Sequence, residues 1–208
     1  MKSPTLTVAP ALLAVALLAG CGKDSETNPN VPQPDPTDLT VPAEVVTAIE
    51  TALNELDVDT YAALLEETPA TRAEAGFRYY PQSSDVQNFP WMFPNGFWSR
   101  DEELDMIGNM CDPEFVSDVT QESVDSIDAQ ITVLSQQTLP SGEIEVTTSA
   151  TITVLWAAQD GARCDARLML LLAEDADGFL RVREMSELPL SGRVESSSWA
   201  PIKALYRS

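Results

Sequence analysis

The sequence predicts an α+β domain with N-terminal helices packed on an antiparallel sheet. Three observations carry this. Apolar residues recur at helical spacing in two stretches before residue 66 and again after Ser99. From about residue 124, alternation of apolar and polar residues takes over. The pairs Ser141-Gly142, Asp160-Gly161 and Asp177-Gly178 divide that second half into strands that must return on one another.

The first helix is predicted to start near Thr40, which can cap it, with Pro42 in its first turn. Val46, Ile49, Leu53 and Leu56 give it one apolar face. Asp57 opens a second helix whose apolar side is Tyr61, Leu64 and Leu65. Phe77 to Tyr80 reads as a short strand stopped by Pro81. An irregular aromatic stretch follows, with Trp91, Phe93, Phe97 and Trp98. It lines a ligand pocket, makes a partner surface, or plugs the core. Ser99 with Glu102 has capping-box spacing, so a third helix runs from there to Asp112-Pro113. Val124 to Leu134, Glu143 to Trp156, Arg163 to Ala173 and Phe179 to Leu188 are the strands. The third carries apolar residues on both sides, which predicts burial on both faces. Trp199 to Tyr206 forms a short amphipathic helix that packs back on the sheet.

The chain begins with Met1-Lys2 and an uncharged apolar run through Leu18, the layout of an export signal. The run is shorter than the roughly 20 apolar residues that a membrane span needs. Leu18-Ala19-Gly20-Cys21 resembles the lipobox of bacterial lipoproteins. That resemblance implies cleavage before Cys21, diacylglyceryl transfer to its thiol, and further acylation such as palmitate. An ordinary secretory signal is the alternative. Residues 21–42 then read as the lipidated Cys and a Pro-rich tether with Pro29, Pro32, Pro34 and Pro36. The tether spans up to about 50–60 Å if extended. Residues 43–208 are one domain. The expected place is the bacterial cell envelope, on the outer membrane or the periplasmic face.

Composition narrows the partners. The 208-residue chain has 12 basic and 33 acidic residues, a net charge of −21. Removing residues 1–20 takes away only Lys2 and leaves −22. Such a chain repels phosphate backbones and anionic headgroups. Nucleic acid is excluded as a partner, and attachment to a membrane falls to the lipid anchor. The absence of His removes the commonest general base and metal ligand. No cofactor and no metal site are expected. Asp57 with Asp59, and Asp125 with Asp128, lack the ligand spacing of a calcium loop. Cys111 and Cys164 remain as a pair in a disulfide-permissive compartment, so a disulfide is expected, with two buried thiols as the alternative.

The element order resembles the cone-shaped, cystatin-like architecture of the nuclear transport factor 2-like superfamily, which includes ketosteroid isomerases and polyketide cyclases. The resemblance rests on Ala52-Leu53-Asn54-Glu55-Leu56-Asp57-Val58-Asp59-Thr60-Tyr61 at the first helical join and on Trp98-Ser99-Arg100-Asp101-Glu102-Glu103-Leu104. It rests also on the late hairpin of Leu168 to Glu174 and Phe179 to Met185. It covers residues 43–190 and implies a curved sheet around a pocket and dimers through the sheet. An enzyme of this kind needs a carboxylate base and an oxyanion donor in a dry cone. Glu184 shares a face with Leu180 and Val182 by alternation, unless a bulge turns it outward, and Tyr79 or Tyr80 is the donor. Arg78, Arg100, Arg163 and Arg167 are candidates for an anion site, or for surface pairs with carboxylates. The favoured reading is a non-catalytic binding or interaction module for a small apolar ligand or an envelope protein, with a homodimer as a further partner. An isomerase or cyclase using a carboxylate is the competitor, and a purely structural dimerising lipoprotein is a third reading.

Overall fold

The computed structural model describes residues 38–67, 76–156, 160–189 and 198–207. The leader 1–20, Cys21 and the tether up to residue 37 lie outside the described residues.

Helix α1 (Pro42–Asn54) begins with Pro at its first turn and uses Val41, not Thr40, as its cap residue. Thr40 instead donates to Asp38 and closes a local turn. Val45, Val46, Ile49, Ala52 and Leu53 form the buried face of α1. Leu56 turns the chain with a positive φ of 54°, and Asp57 caps α2 (Val58–Leu64) by accepting from the Thr60 N–H. Strand β1 (Arg78–Tyr80) is followed by α3 (Ser83–Asn88) and β2 (Trp98–Ser99). Both α3 and β2 fall where the sequence predicted irregular chain. Helix α4 (Arg100–Cys111) has the full reciprocal capping box of Ser99 and Glu102.

Strands β3 (Ser126–Thr138), β4 (Ile144–Trp156), β5 (Asp160–Glu174) and β6 (Leu180–Leu188) form the antiparallel meander. The six-stranded sheet has the order β2-β1-β6-β5-β4-β3. It is mixed, because β1 joins β6 in parallel. Asp160 and Gly161 are inside β5, opposite Trp156 and Leu155, and are not the hairpin turn that the sequence suggested. Gly161 is required there because a Cβ would collide with the Val154 carbonyl and the Leu155 side chain. Met169 and Leu171 on the outer face of β5 are only half-buried, so that strand is not dry on both sides.

The free edge of the sheet is covered by α1. Asn54 exchanges two hydrogen bonds with the Ala129 backbone, at 3.0 and 2.6 Å, and Glu50 accepts from the Ile131 N–H at 2.6 Å. A bulge between Val133 and Ser135 distorts the remainder of β3. Both devices block pairing with a further strand. The core runs between the inner face of the sheet (Val146, Ala150, Ile152, Val154, Leu168, Leu170) and helices α1, α2 and α4. The last helix, α5 (Trp199–Ala204), buries Trp199, Ala200, Ile202 and Lys203.

Candidate functional site

Six side chains from six elements meet inside the domain: Tyr61 (α2), Tyr79 (β1), Trp98 (β2), Glu103 (α4), Glu187 (β6) and Lys203 (α5). Each placement follows from local pattern. On α4, Glu103 lies one turn before Met106 and Ile107 and shares their buried face. On α5, Lys203 is four residues after Trp199 and falls on the same face. Glu187 is brought inward by a bulge.

That bulge settles the candidate base. Leu171 pairs with Glu184 but Leu172 pairs with Val182, so Arg183 is an extra residue in β6. Leu180 and Val182 face inward before it, and Met185 and Glu187 face inward after it. Glu184 is turned to the other face, half-buried beside Arg78 and Leu171. The expectation of an inward Glu184 is therefore corrected: the buried carboxylate of this strand is Glu187.

Tyr79 does meet a carboxylate. Its hydroxyl donates to Glu187 Oε1, the Ala200 N–H donates to the same oxygen at 2.8 Å, and the Ser198 hydroxyl donates to Oε2. Burial pushes the Glu187 carboxyl above its ordinary range against the pull of these donors and of Lys203. The Tyr79 phenol is held well above its usual range by burial first and then by Glu187 and Glu103. Tyr80 faces away and packs against Phe97 at 5.8 Å.

The second carboxylate is engaged by an ammonium. Lys203 Nζ donates to Glu103 Oε1 at 2.8 Å and to Oε2 at 2.6 Å, and the Tyr61 hydroxyl donates to Oε1 at 2.9 Å. The same Nζ lies 3.3 Å from the centroid of the Tyr79 ring, 5.2 Å from that of Trp98 and 5.8 Å from that of Trp199. Both members of the ion pair are 0 % exposed. Burial pulls the Lys203 ammonium down, while Glu103 and Glu187 hold it up.

The aromatic stretch is divided in its role. Trp98 and Phe93 are buried, with rings 4.7 Å apart, and Trp98 stacks on Tyr79 at 5.5 Å. Phe97 is half-buried, and Trp91 is 72 % exposed. Two of the four aromatics therefore plug the interior.

Cys111 and Cys164 are both free thiols, which corrects the expected disulfide. They lie in different surroundings. Cys111 ends α4 near Asp57, and burial first, then Asp57, pushes its thiol up to about 11. Cys164 lies on the inner face of β5 beside Glu187 and Lys203, and burial first, then Glu187, pushes it up to about 12. Both pack against the core, Cys111 only partly buried, and burial disfavours the thiolate at each.

The four arginines proposed for an anion site do not converge. Arg78 stacks over Phe97, Arg100 donates to the Ala62 carbonyl, Arg163 pairs with Asp165, and Arg167 lies across from Leu188 on β5. Asp57 is a helix cap. Among the described residues no group of three metal-ligating side chains comes together. Glu103, Glu187, Lys203 and Tyr61 were missed by sequence reasoning. The signal present for Glu103 and Lys203 was a charged residue lying on an otherwise apolar helical stripe.

No family model matches the chain, and no curated protein matches it. Solved structures do. A protein from Novosphingobium aromaticivorans, named as a candidate aromatic ring hydroxylase, aligns over 80 % of this chain and 96 % of its own, with 9 % identity and a TM-score of 0.53. A nuclear transport factor 2-like superfamily protein from Salmonella enterica covers 73 % of this chain and 90 % of its own, with 9 % identity and a TM-score of 0.44. A protein of the same type and of unknown function from Shewanella oneidensis covers 70 % and 93 %, with 15 % identity and a TM-score of 0.43. At 9 % identity the likeness to the first of these is one of fold alone. What the chain shares with the Novosphingobium protein is the fold, helices packed on a six-stranded sheet.

Proposed function

We propose that the chain is a cell-envelope lipoprotein, anchored through Cys21, whose domain is a non-catalytic binding or interaction module. The observation that supports the non-catalytic part is the closure of the cone. Tyr79, Glu103 and Lys203 are 0 % exposed and Glu187 is 5 % exposed, so a water molecule barely reaches the groups that proton transfer would need. Each of them is already bonded to another member of the cluster. A general base must reach the proton it removes. Here Ser198, Ala200 and Lys203, in and beside α5, already take up the two carboxylates. The lipobox and the tether support the anchoring part. On this reading the module sits at the membrane surface, with an envelope protein, a small ligand or a second copy as its partner.

The test of the anchor is Cys21→Ser in the full precursor, followed by labelled palmitate and membrane fractionation. The expected result is loss of label and release from the membrane. A variant that keeps its label and stays with the membrane sinks the reading.

One contact, Tyr79 to Glu187, favours a second reading, an envelope-tethered isomerase or cyclase with Glu187 as base. Such an enzyme exchanges the α-hydrogens of a bound enolisable ketone for deuterium. The expected result with the full mature chain is no exchange above background. Exchange that disappears in Glu187→Gln would replace the non-catalytic reading with the enzyme.

A further inference from the structure

The interior cluster is built as a receptor for an ammonium group. Two rings outside α5, Tyr79 and Trp98, stand within 6 Å of one nitrogen, a third, Trp199, belongs to α5 itself, and the Glu103 carboxylate accepts two hydrogen bonds from that nitrogen. Aromatic faces and a carboxylate together are the chemistry that selects an alkylammonium. Trp98 and Tyr79 are stacked on each other, Tyr61 donates to the Glu103 carboxylate, and none of these four residues of the cage belongs to α5. Its occupant is chosen for shape. The 12 basic residues of the chain include three lysines, at positions 2, 23 and 203, and nine arginines. The single lysine of the folded domain is the cation inside it. A compact ammonium fits where a planar guanidinium would not.

The geometry points to α5 as a ligand in cis: the cone holds an ammonium-binding site that Lys203 occupies, and a free primary alkylammonium competes for it by displacing α5. The element that carries Lys203 is suited to exchange. It is only six residues long, and two of the three donors to Glu187, Ser198 and the Ala200 N–H, move with it. Tyr79, Trp98, Glu103 and Glu187 belong to other elements and stay behind. This deepens the reading of the domain as a binding module and rests on it.

The probe is n-butylammonium chloride, with sodium chloride and n-butanol as controls, added to the full mature chain and to Lys203→Ala. In Lys203→Ala the site is vacated in place, so saturable binding, seen as quenching or enhancement of Trp fluorescence and a rise in Tm, is expected with n-butylammonium and not with n-butanol. The native chain should bind at least about tenfold more weakly, because only its undocked fraction is competent. A folded Lys203→Ala that does not bind, or that responds equally to n-butanol, overturns the inference. Should Lys203→Ala fail to fold, amide hydrogen exchange in the native chain decides. Exchange at residues 199–206 accelerates in n-butylammonium relative to sodium chloride if α5 is displaced, and unchanged exchange overturns the inference. The ketone assay reads turnover and the palmitate assay reads anchoring, so neither shares an outcome with amine binding.

Discussion

Helices α1 and α5 are both laid on the sheet through buried apolar residues, but only α5 also carries a buried charge into the interior. Helix α1 docks through Val45, Val46, Ile49, Ala52 and Leu53, with polar contacts from Glu50 and Asn54 only at the strand edge. Helix α5 is half as long and is positioned by a buried charge, a backbone N–H and a hydroxyl. Apolar burial is non-directional and insensitive to pH, and it tolerates shape changes of a methylene or so. A desolvated ion pair is directional and all-or-none, and it is costly to half-remove. The contrast separates a helix that belongs to the scaffold from one that specifies the interior.

The largest effect that would break this contrast is at the ion pair. Glu103→Ala leaves Lys203 charged and unpartnered in the interior, and a loss of about 3–5 kcal/mol is expected in urea denaturation. Replacing both partners, Glu103→Leu with Lys203→Met, should cost markedly less than Glu103→Ala alone. A double variant as unstable as the single one would mean that the pair contributes more than the desolvation that it offsets.

The next effect is on pH dependence and separates the two helices directly. Burial raises the Glu187 carboxyl above its unfolded value of 4.5. A group raised on folding contributes stability that is complete below its unfolded pKa and is lost as pH rises through the folded one. Tm should therefore fall with rising pH above about pH 4.5 through this group. Glu187→Gln removes that component and should flatten the slope, whereas Ile49→Val in α1 should leave it parallel to the native curve. A Glu187→Gln profile with unchanged slope would show that Glu187 stays ionised throughout.

The smallest effect is in α1 itself. Ile49→Val removes one buried methyl group and should cost about 1 kcal/mol, independent of pH, in the same denaturation measurement. A cost as large as that of Glu103→Ala would erase the distinction between the two helices.

Several features of this chain were legible in one dimension. The capping box at Ser99 and Glu102, the apolar stripe of α1, the Asp57 cap and the period of β4 are local patterns, and the structure has them where the pattern lies. The α+β class follows from their order. The short elements α3 and β2 were not legible, because six and two residues are too few to show a period. Asp160-Gly161 has the composition of a turn, but its glycine answers to the close backbone of β4. Tyr79 was found as a candidate. Its partner was not, because one extra residue at Arg183 exchanges the two faces of β6 and puts Glu187 inside in place of Glu184.

What the sequence alone determined, then, is what depends on neighbours a few residues apart: the helix caps, the face each helix and strand buries, and the order of elements. The tertiary structure decided what depends on residues far apart in the chain. It set the parallel joining of β1 to β6, the covering of the β3 edge by Glu50 and Asn54, and the meeting of Glu103 with Lys203 across 100 positions. Periodicity reports which side of an element is apolar. It does not report which element lies opposite, and the energy of a buried charge depends wholly on that second fact.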